Sequence, residues 1–90
     1  MSLQIFKFAE VHFKSTPQMW NKEKLGIKKN TIRKFDDPQD KRKEILHAYM
    51  EGRVEKLQII LTNTATDEVF RRTATDVSKF FEEEIYIISW

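Results

Sequence analysis

Residues 26–33 read Gly26-Ile27-Lys28-Lys29-Asn30-Thr31-Ile32-Arg33, with the pattern G-x-K-x-x-T-I-R. We predict a helix over residues 17–25, because Pro17 suits the first helical position and Gly26 suits the left-handed residue that ends a helix. After the glycine, residues 28–35 alternate with the two-residue period of a strand. The segment therefore marks the point where a helix turns into a strand.

This junction also gathers side chains that suit ligand binding. Alternation along the strand places Thr31 and Arg33 on the same side, and Lys28 at the turn can reach over that side. Gly26 lets the chain reverse with its backbone amides exposed. An ammonium, a hydroxyl and a guanidinium would then converge on one small anionic or carbonyl-bearing ligand.

Outward from this segment, the hydrophobic pattern and the turn signals predict the remaining elements. They are a strand over 3–13 and a helix over about 38–51, with Asp37 as its cap and Pro38 in its first turn. Two strands follow, over 54–63 and 68–73, joined by residues 64–67. The last elements are a single turn, capped by Thr75 or Asp76 and ending at Phe80 or Phe81, and a strand over 84–90. The fold class expected is α+β: a small curled five-stranded mixed or antiparallel sheet, or a partly open β-barrel, with two main helices.

Length and composition narrow the class of protein. Ninety residues with 40% hydrophobic content and few glycines or prolines predict a single domain over 1–90. The chain has no cysteine, which excludes disulfides, thiolate metal sites and thiol catalysis. His12 and His47 stand on separate elements, so we expect no metal site and no cofactor. No apolar run reaches the roughly 18–20 residues that cross a bilayer, and no signal peptide is evident, so a cytoplasmic location away from membranes is expected.

The net charge of +2 hides an uneven distribution. Residues 22–43 hold nine basic and four acidic side chains, a local net charge of +5, whereas the last fifteen residues are acidic. The basic segment can attract phosphate, or it can form solvated helix and strand faces. The residues predicted to contact nucleic-acid phosphate are Lys22, Lys24, Lys29, Lys41, Arg42 and Lys43.

The G-x-K-x-x-T-I-R segment resembles the motif of the ASCH domains in the PUA-like superfamily, and the chain looks like a small bacterial or bacteriophage member. Residues 20–25 fit the helix that precedes that motif, and residues 84–90 look like the closing strand of these domains. The resemblance covers residues 13–35 well and 54–90 by pattern alone. After the motif, this chain has a helix beginning near Pro38 where the family has a Gly-Asp turn.

The resemblance implies a cleft in a small β-barrel and two activities. Most members of the family bind RNA or modified nucleosides, so the residues expected to bind the ligand are Gly26, Lys28, Thr31, Arg33 and Trp20. A bacterial branch hydrolyses acetylated cytidine, with a catalytic lysine and threonine that fall on Lys28 and Thr31. There the lysine would deprotonate the threonine hydroxyl for attack on the acetyl carbonyl. A later acid is also required, and the candidates by location are Glu82, Glu83 and Glu84.

Other interpretations of these residues stay open. Thr31 can simply favour a strand, Lys28 can be a solvated turn residue, and Arg33 can pair with Asp36 or Glu10 at the surface. Trp20 suits a core or a cleft wall better than a base-stacking platform. A third class of function is a small phage-type protein that binds and modulates a host protein. The oligomeric state is left open by the sequence.

Overall fold

The computed structural model describes residues 5–80 and 84–90 of the chain, and these residues form two helices and six strands. In chain order the elements are β1 (Phe6–Ser15), α1 (Pro17–Lys24), β2 (Asn30–Lys34), α2 (Lys41–Met50), β3 (Val54–Asn63), β4 (Val69–Thr73), β5 (Asp76–Phe80) and β6 (Ile85–Ser89). The strands lie in two three-stranded sheets with the orders β1-β3-β4 and β2-β6-β5. The α+β class that the sequence predicts is confirmed.

The sheets differ from the single five-stranded sheet or partly open barrel that the sequence predicts. The described residues form two separate sheets, and the sixth strand is β5, where we predicted a capped turn. Val77 and Lys79 of β5 pair with Ile88 and Tyr86 of β6 in an antiparallel ladder. Inward and outward side chains alternate along this segment, with Val77 buried, so a neighbouring strand gives it backbone partners that a lone turn would lack. Phe81, the other predicted end of the turn, lies outside the described residues.

The first sheet is mixed. β1 runs parallel to β3, with Val11 opposite Ile59 and Phe13 opposite Leu61. The connection between these two strands contains α1, β2 and α2. The predicted site, at the turn from α1 to β2, therefore lies within this long crossover connection. β4 then returns antiparallel to β3 through residues 64–68, so the predicted hairpin is present, with a connection one residue longer than the predicted 64–67.

Helix α2 begins later than predicted, because Asp37 caps a turn and not the helix. The Asp37 carboxylate accepts from the backbone amide of Gln39 at 2.9 Å, whereas Asp40 accepts from the amide of Arg42 at 3.0 Å and is the true N-cap. Two aspartates that precede possible helical positions give the same sequence signal. The end of α2 is close to the prediction, with Gly52 in the left-handed region at φ 78°.

One cluster of buried side chains joins the two sheets. The ring of Phe35 lies 6.1 Å from that of Phe13 in β1 and 5.3 Å from that of Tyr86 in β6. Leu46 and Ala48 of α2 are buried against the same cluster. β6, the hydrophobic strand near the end of the chain, lies between β2 and β5. Its backbone is therefore paired on both edges within the chain, which removes an aggregation-prone edge.

An ion pair links Lys43 of α2 to Glu84, directly before β6, and it makes the stability of the fold depend on pH. A hydrogen bond from Lys43 at 2.8 Å holds the pKa of Glu84 below its ordinary value. A lowered carboxyl pKa stabilises the fold fully above the ordinary pKa, and the stabilisation is lost as the pH falls through the lowered one.

We therefore expect Glu84→Gln to lose part of the stability at neutral pH and to flatten its decline toward acid. Urea unfolding at several values between about pH 7 and pH 3 measures this difference. Glu55→Gln, which changes an exposed glutamate of β3, is the matched control and should follow the unmodified chain. An equal acid dependence in the Glu84→Gln variant would show that the ion pair does not contribute.

Candidate functional site

The turn between α1 and β2 is built by backbone hydrogen bonds around Gly26. The amides of Ile27 and Lys28 both donate to the carbonyl of Lys22, at 3.0 Å and 3.1 Å. Gly26 has φ 77°, in the left-handed region that side chains disfavour. A Cβ at Gly26 would meet only the flexible end of Lys29 at 3.9 Å, so backbone strain and not crowding accounts for the glycine. The turn directs the chain from the helix end into β2.

Thr31 and Arg33 share one face of β2, as the sequence predicts. Thr31 is buried, and its hydroxyl oxygen accepts from the Arg33 Nε at 2.8 Å. The same guanidinium donates to the Lys14 carbonyl and to the Ser15 hydroxyl, both at 2.7 Å. Neither Asp36 nor Glu10 takes part in these contacts, so the surface ion pair considered from the sequence is not formed.

Arg33 therefore ties two sheets together. It reaches from β2, an edge strand of one sheet, to the end of β1, an edge strand of the other. Its guanidinium also lies over the Phe13 ring, 4.8 Å from the ring centre. Burial lowers the pKa of Arg33, the negative charge of Glu23 opposes this shift, and the positive charge of Arg42 adds to it.

Glu23 is one of the residues of this site that the sequence does not predict. Its side chain is 1% exposed, and Oε2 lies 3.6 Å from the Lys28 ammonium. Lys28 also donates to the Asn30 carbonyl at 2.7 Å. The other carboxylate oxygen, Oε1, is buried and has no hydrogen-bond donor among the described residues. The available signal was spacing, since Glu23 follows the buried Trp20 by three residues and shares its face of α1.

These side chains line one pocket of about 290 Å³. Ser15, Glu23, Lys28, Thr31 and Arg33 supply its polar lining, and Met19 and Ile32 supply apolar walls. Three basic residues, Lys14, Lys28 and Arg33, and one acidic residue, Glu23, are among those that line this volume. The structure thus brings together the lysine, threonine and arginine of the motif, and adds a buried carboxylate.

Trp20 lies in the core and does not line the pocket. Its ring is 3% exposed, and its indole N–H donates to the Leu61 carbonyl at 2.9 Å. The ring meets the edge of Phe70 with 5.4 Å between centres. Lys24, 4.9 Å above the ring, covers its outer side. The contacts of Trp20 are therefore those of a packing residue.

The residues predicted to contact phosphate divide into two groups. Arg42 is bound to Asp40 at 2.7 Å and stacks on Phe35, and Lys43 is bound to Glu84. These two cations are engaged within the fold. The others are exposed and form no ion pair with a described residue: Lys22, Lys24, Lys29 and Lys41. Three of these four lie in α1 or its following turn, beside the pocket.

The predicted acids do not line the pocket in the part of the chain that is described. Glu84 pairs with Lys43 at 2.8 Å and lies 3.7 Å from Lys79. Glu82 and Glu83 lie outside the described residues. The carboxylate that does line the pocket is Glu23, which precedes the motif.

Two larger cavities, of about 650 Å³ and 780 Å³, are lined by α2 and share His47. Size alone would favour them over the pocket at the turn. Their charged lining is largely paired inside the fold, however, with Lys43 bound to Glu84 and Glu51 bound to Arg53. His47 is itself 2.7 Å from the Tyr86 hydroxyl. The smaller pocket keeps an unpartnered carboxylate oxygen, so it is the stronger candidate.

Neither a metal centre nor a membrane span is found among the described residues. Across residues 5–80 and 84–90, no group of three or more histidines and carboxylates is placed to hold a metal ion. In the same ranges, no helix has the length and apolar character needed to cross a bilayer. No family model matches the chain, and no curated protein or solved structure matches it either.

Proposed function

We propose that the chain is a binding module for RNA or a modified nucleotide, and that its ligand enters the pocket between α1 and β2. The observation that carries the proposal is that Lys28, Thr31 and Arg33 line one pocket together with a buried carboxylate. At about 290 Å³, the pocket has the size of the smallest ligand sites, which begin at about 300 Å³. A nucleoside is a ligand of suitable size and polarity.

The surface around the pocket supports a polyanionic ligand. Lys22, Lys24 and Lys29 are exposed on the helix end and the turn, where phosphates of a bound strand would lie. Leu25 and Ile27 are each 73% exposed, and Ile32 is 60% exposed. Exposed apolar side chains grouped beside a polar pocket mark interaction surfaces and suit contact with base faces.

Binding accounts for the contacts better than hydrolysis does. A lysine that activates a threonine must hydrogen-bond its hydroxyl. Here Thr31 accepts from Arg33, and Lys28 donates to the Asn30 carbonyl. Arg33, whose contacts extend to both sheets, positions the threonine without acting as a base. We therefore place binding first and the acetylcytidine hydrolysis that the resemblance implies second.

We further propose that the chain is related to the ASCH domains. The support is local: a helix that ends at a glycine with positive φ leads into a strand whose threonine and arginine share one face. The insertion of α2 after β2, together with the two three-stranded sheets, sets the remainder of the chain apart from the compact barrel of that family.

Fluorescence anisotropy of a labelled single-stranded RNA tests the proposal. Lys28→Ala should raise the Kd by about tenfold to a hundredfold, since losing a charged contact costs about 1.5–3 kcal/mol. Affinity of the unmodified chain should fall steeply as salt rises, because bound phosphates release counterions. The matched control is Lys56→Ala, which removes an exposed lysine of β3 that does not line the pocket.

Control and unmodified chain should bind alike. The proposal is wrong if RNA does not bind. It is also wrong if binding ignores salt, or if Lys56→Ala and Lys28→Ala weaken it equally.

A further inference from the structure

Arg33 is a half-buried cation whose hydrogen-bond partners are all neutral. Its guanidinium donates to the Thr31 hydroxyl, the Lys14 carbonyl and the Ser15 hydroxyl. It forms no ion pair with any carboxylate among the described residues. A guanidinium has five N–H donors, so these three bonds leave N–H groups for a further acceptor.

The residues around Arg33 leave the pocket with an excess of positive charge. Lys14, Lys28 and Arg33 line it with one acid, Glu23, which gives a net charge of +2. Glu23 lies 3.6 Å from Lys28 and compensates that lysine, so the excess is that of Lys14 and Arg33. Burial lowers the pKa of Arg33, Glu23 opposes this shift, and Arg42 adds to it. A bound anion would offset the cost of holding these cations together.

We propose that the pocket binds a terminal phosphate monoester through Lys28 and Arg33. The inference rests on the proposed function, since it names the group of the RNA or nucleotide that enters the same pocket. The 5′ end of an RNA and a nucleoside 5′-monophosphate both carry this group.

Charge and shape favour a phosphate at the end of a strand over one inside it. A phosphate monoester carries about −1.5 to −2 at pH 7, which matches the net charge of the pocket, whereas an internal phosphodiester carries a single negative charge. The three free oxygens of a monoester can accept from a guanidinium fork and from an ammonium at the same time. A phosphodiester has two free oxygens and two ester-linked chains, which a pocket of about 290 Å³ would have to accommodate.

Both cations that would hold the phosphate are accessible. The Lys28 side chain is 23% exposed, and the bond from Arg33 to the Lys14 carbonyl lies at the surface. The Lys28 ammonium donates one N–H to the Asn30 carbonyl and lies beside Glu23, so a third N–H remains for a ligand. A phosphate can therefore reach donors on both side chains without entering the core.

Titration calorimetry on the full chain tests the proposal with a short single-stranded RNA that carries either a 5′-phosphate or a 5′-hydroxyl. We expect the 5′-phosphorylated RNA to bind the unmodified chain about tenfold or more tightly, as an added charge-assisted contact does. A 5′-hydroxyl RNA one nucleotide longer adds a phosphodiester and no monoester. It should bind within about threefold of the shorter 5′-hydroxyl RNA.

Mononucleotides distinguish the two sources of the phosphate. Adenosine 5′-monophosphate should bind more tightly than adenosine by a similar factor. If its Kd equals that of the 5′-phosphorylated RNA, a free nucleotide suffices as the ligand. A lower Kd for the RNA assigns the site to an RNA end.

A variant with a matched control tests the role of Lys28. Lys28→Gln removes the cation and keeps an N–H donor, so the preference for the 5′-phosphate should shrink to about threefold or less. Lys56→Gln makes the same change at an exposed lysine of β3 outside this pocket, and it should keep the full preference.

The outcomes separate this inference from the proposed function. Equal binding of the 5′-phosphate and 5′-hydroxyl RNAs to the unmodified chain would overturn the phosphate site and leave RNA binding intact, and this comparison needs no variant to fold. A preference that survives Lys28→Gln in a folded variant, or a gain that the longer 5′-hydroxyl RNA reproduces, would also overturn it. If no RNA and no nucleotide binds, both proposals are wrong.

Discussion

Trp20→Ala is expected to lower the free energy of unfolding by about 3–5 kcal/mol, the usual cost of removing a large buried aromatic side chain. The ring is 3% exposed and packs edge-on against Phe70. Its loss also leaves the Leu61 carbonyl without the indole donor that now lies 2.9 Å away. Since a small domain is stable by only about 5–15 kcal/mol, much of the fold is at stake. Urea unfolding followed by circular dichroism measures the change.

Trp20→Phe is the informative companion, because it keeps a ring and removes only the N–H. Its cost should be smaller, about 1–3 kcal/mol, with part of it due to the unpaired carbonyl. The resemblance to the ASCH domains implies that Trp20 contacts the ligand, whereas the residue itself suits a core or a cleft wall better than a base-stacking platform. If Trp20→Ala left stability unchanged and weakened RNA binding, the implied contact would hold and the packing role would be wrong.

Arg33→Ala is expected to lower the free energy of unfolding by about 2–4 kcal/mol. It removes charged hydrogen bonds that contribute about 1.5–3 kcal/mol each, and the total is smaller than their sum because all of them belong to one partly exposed side chain. The guanidinium joins β2 to Lys14 and Ser15 at the end of β1, and it satisfies the buried Thr31 hydroxyl. The same variant should weaken RNA binding, because Arg33 lines the pocket. Unfolding curves and anisotropy, measured where the variant is folded, report the two effects.

Arg33→Lys separates charge from shape. A lysine keeps the positive charge and loses the planar fork that reaches three acceptors at once. It should therefore recover less than half of the lost stability. Full recovery by lysine would show that charge alone matters and that the link between the sheets contributes little.

Local sequence signals predicted most of the elements. Period-two alternation identified the strands around residues 6–15, 30–34 and 54–63, and proline and glycine bounded α1. These signals act over a few residues. The arrangement of the sheets depends on long-range pairing, such as that of Val11 with Ile59. A hydrophobic pattern over a few residues does not predict which strands pair.

Failures of prediction have physical causes that can be named. Thr75 and Asp76 resemble a helix cap and so predict a turn, whereas β6 supplies the backbone partners that make residues 76–80 a strand. Asp37 and Asp40 both suit the N-cap of α2. Asp40 is the N-cap because it accepts from the amide of Arg42 within the helix, whereas Asp37 accepts from Gln39 before the helix begins.

Within the candidate site, the shared face of Thr31 and Arg33 followed from strand alternation. That Lys28 lines the same pocket was also expected from its place in the turn. The contribution of Ser15 was beyond the sequence, because it requires the end of β1 to lie beside β2. Glu23 was missed because a glutamate on a lysine-rich helix is normally solvated, and its burial depends on the tertiary packing of α1.

The central claim is that the ligand binds between α1 and β2, and the most direct test is an NMR titration. Adding a short single-stranded RNA to the ¹⁵N-labelled chain should shift the amide signals of residues 26–33, together with those of Ser15 and Glu23. Signals of residues 41–50, most of which line the two larger cavities, should move little. Shifts confined to residues 41–50, or no shifts at saturating RNA, would contradict the account.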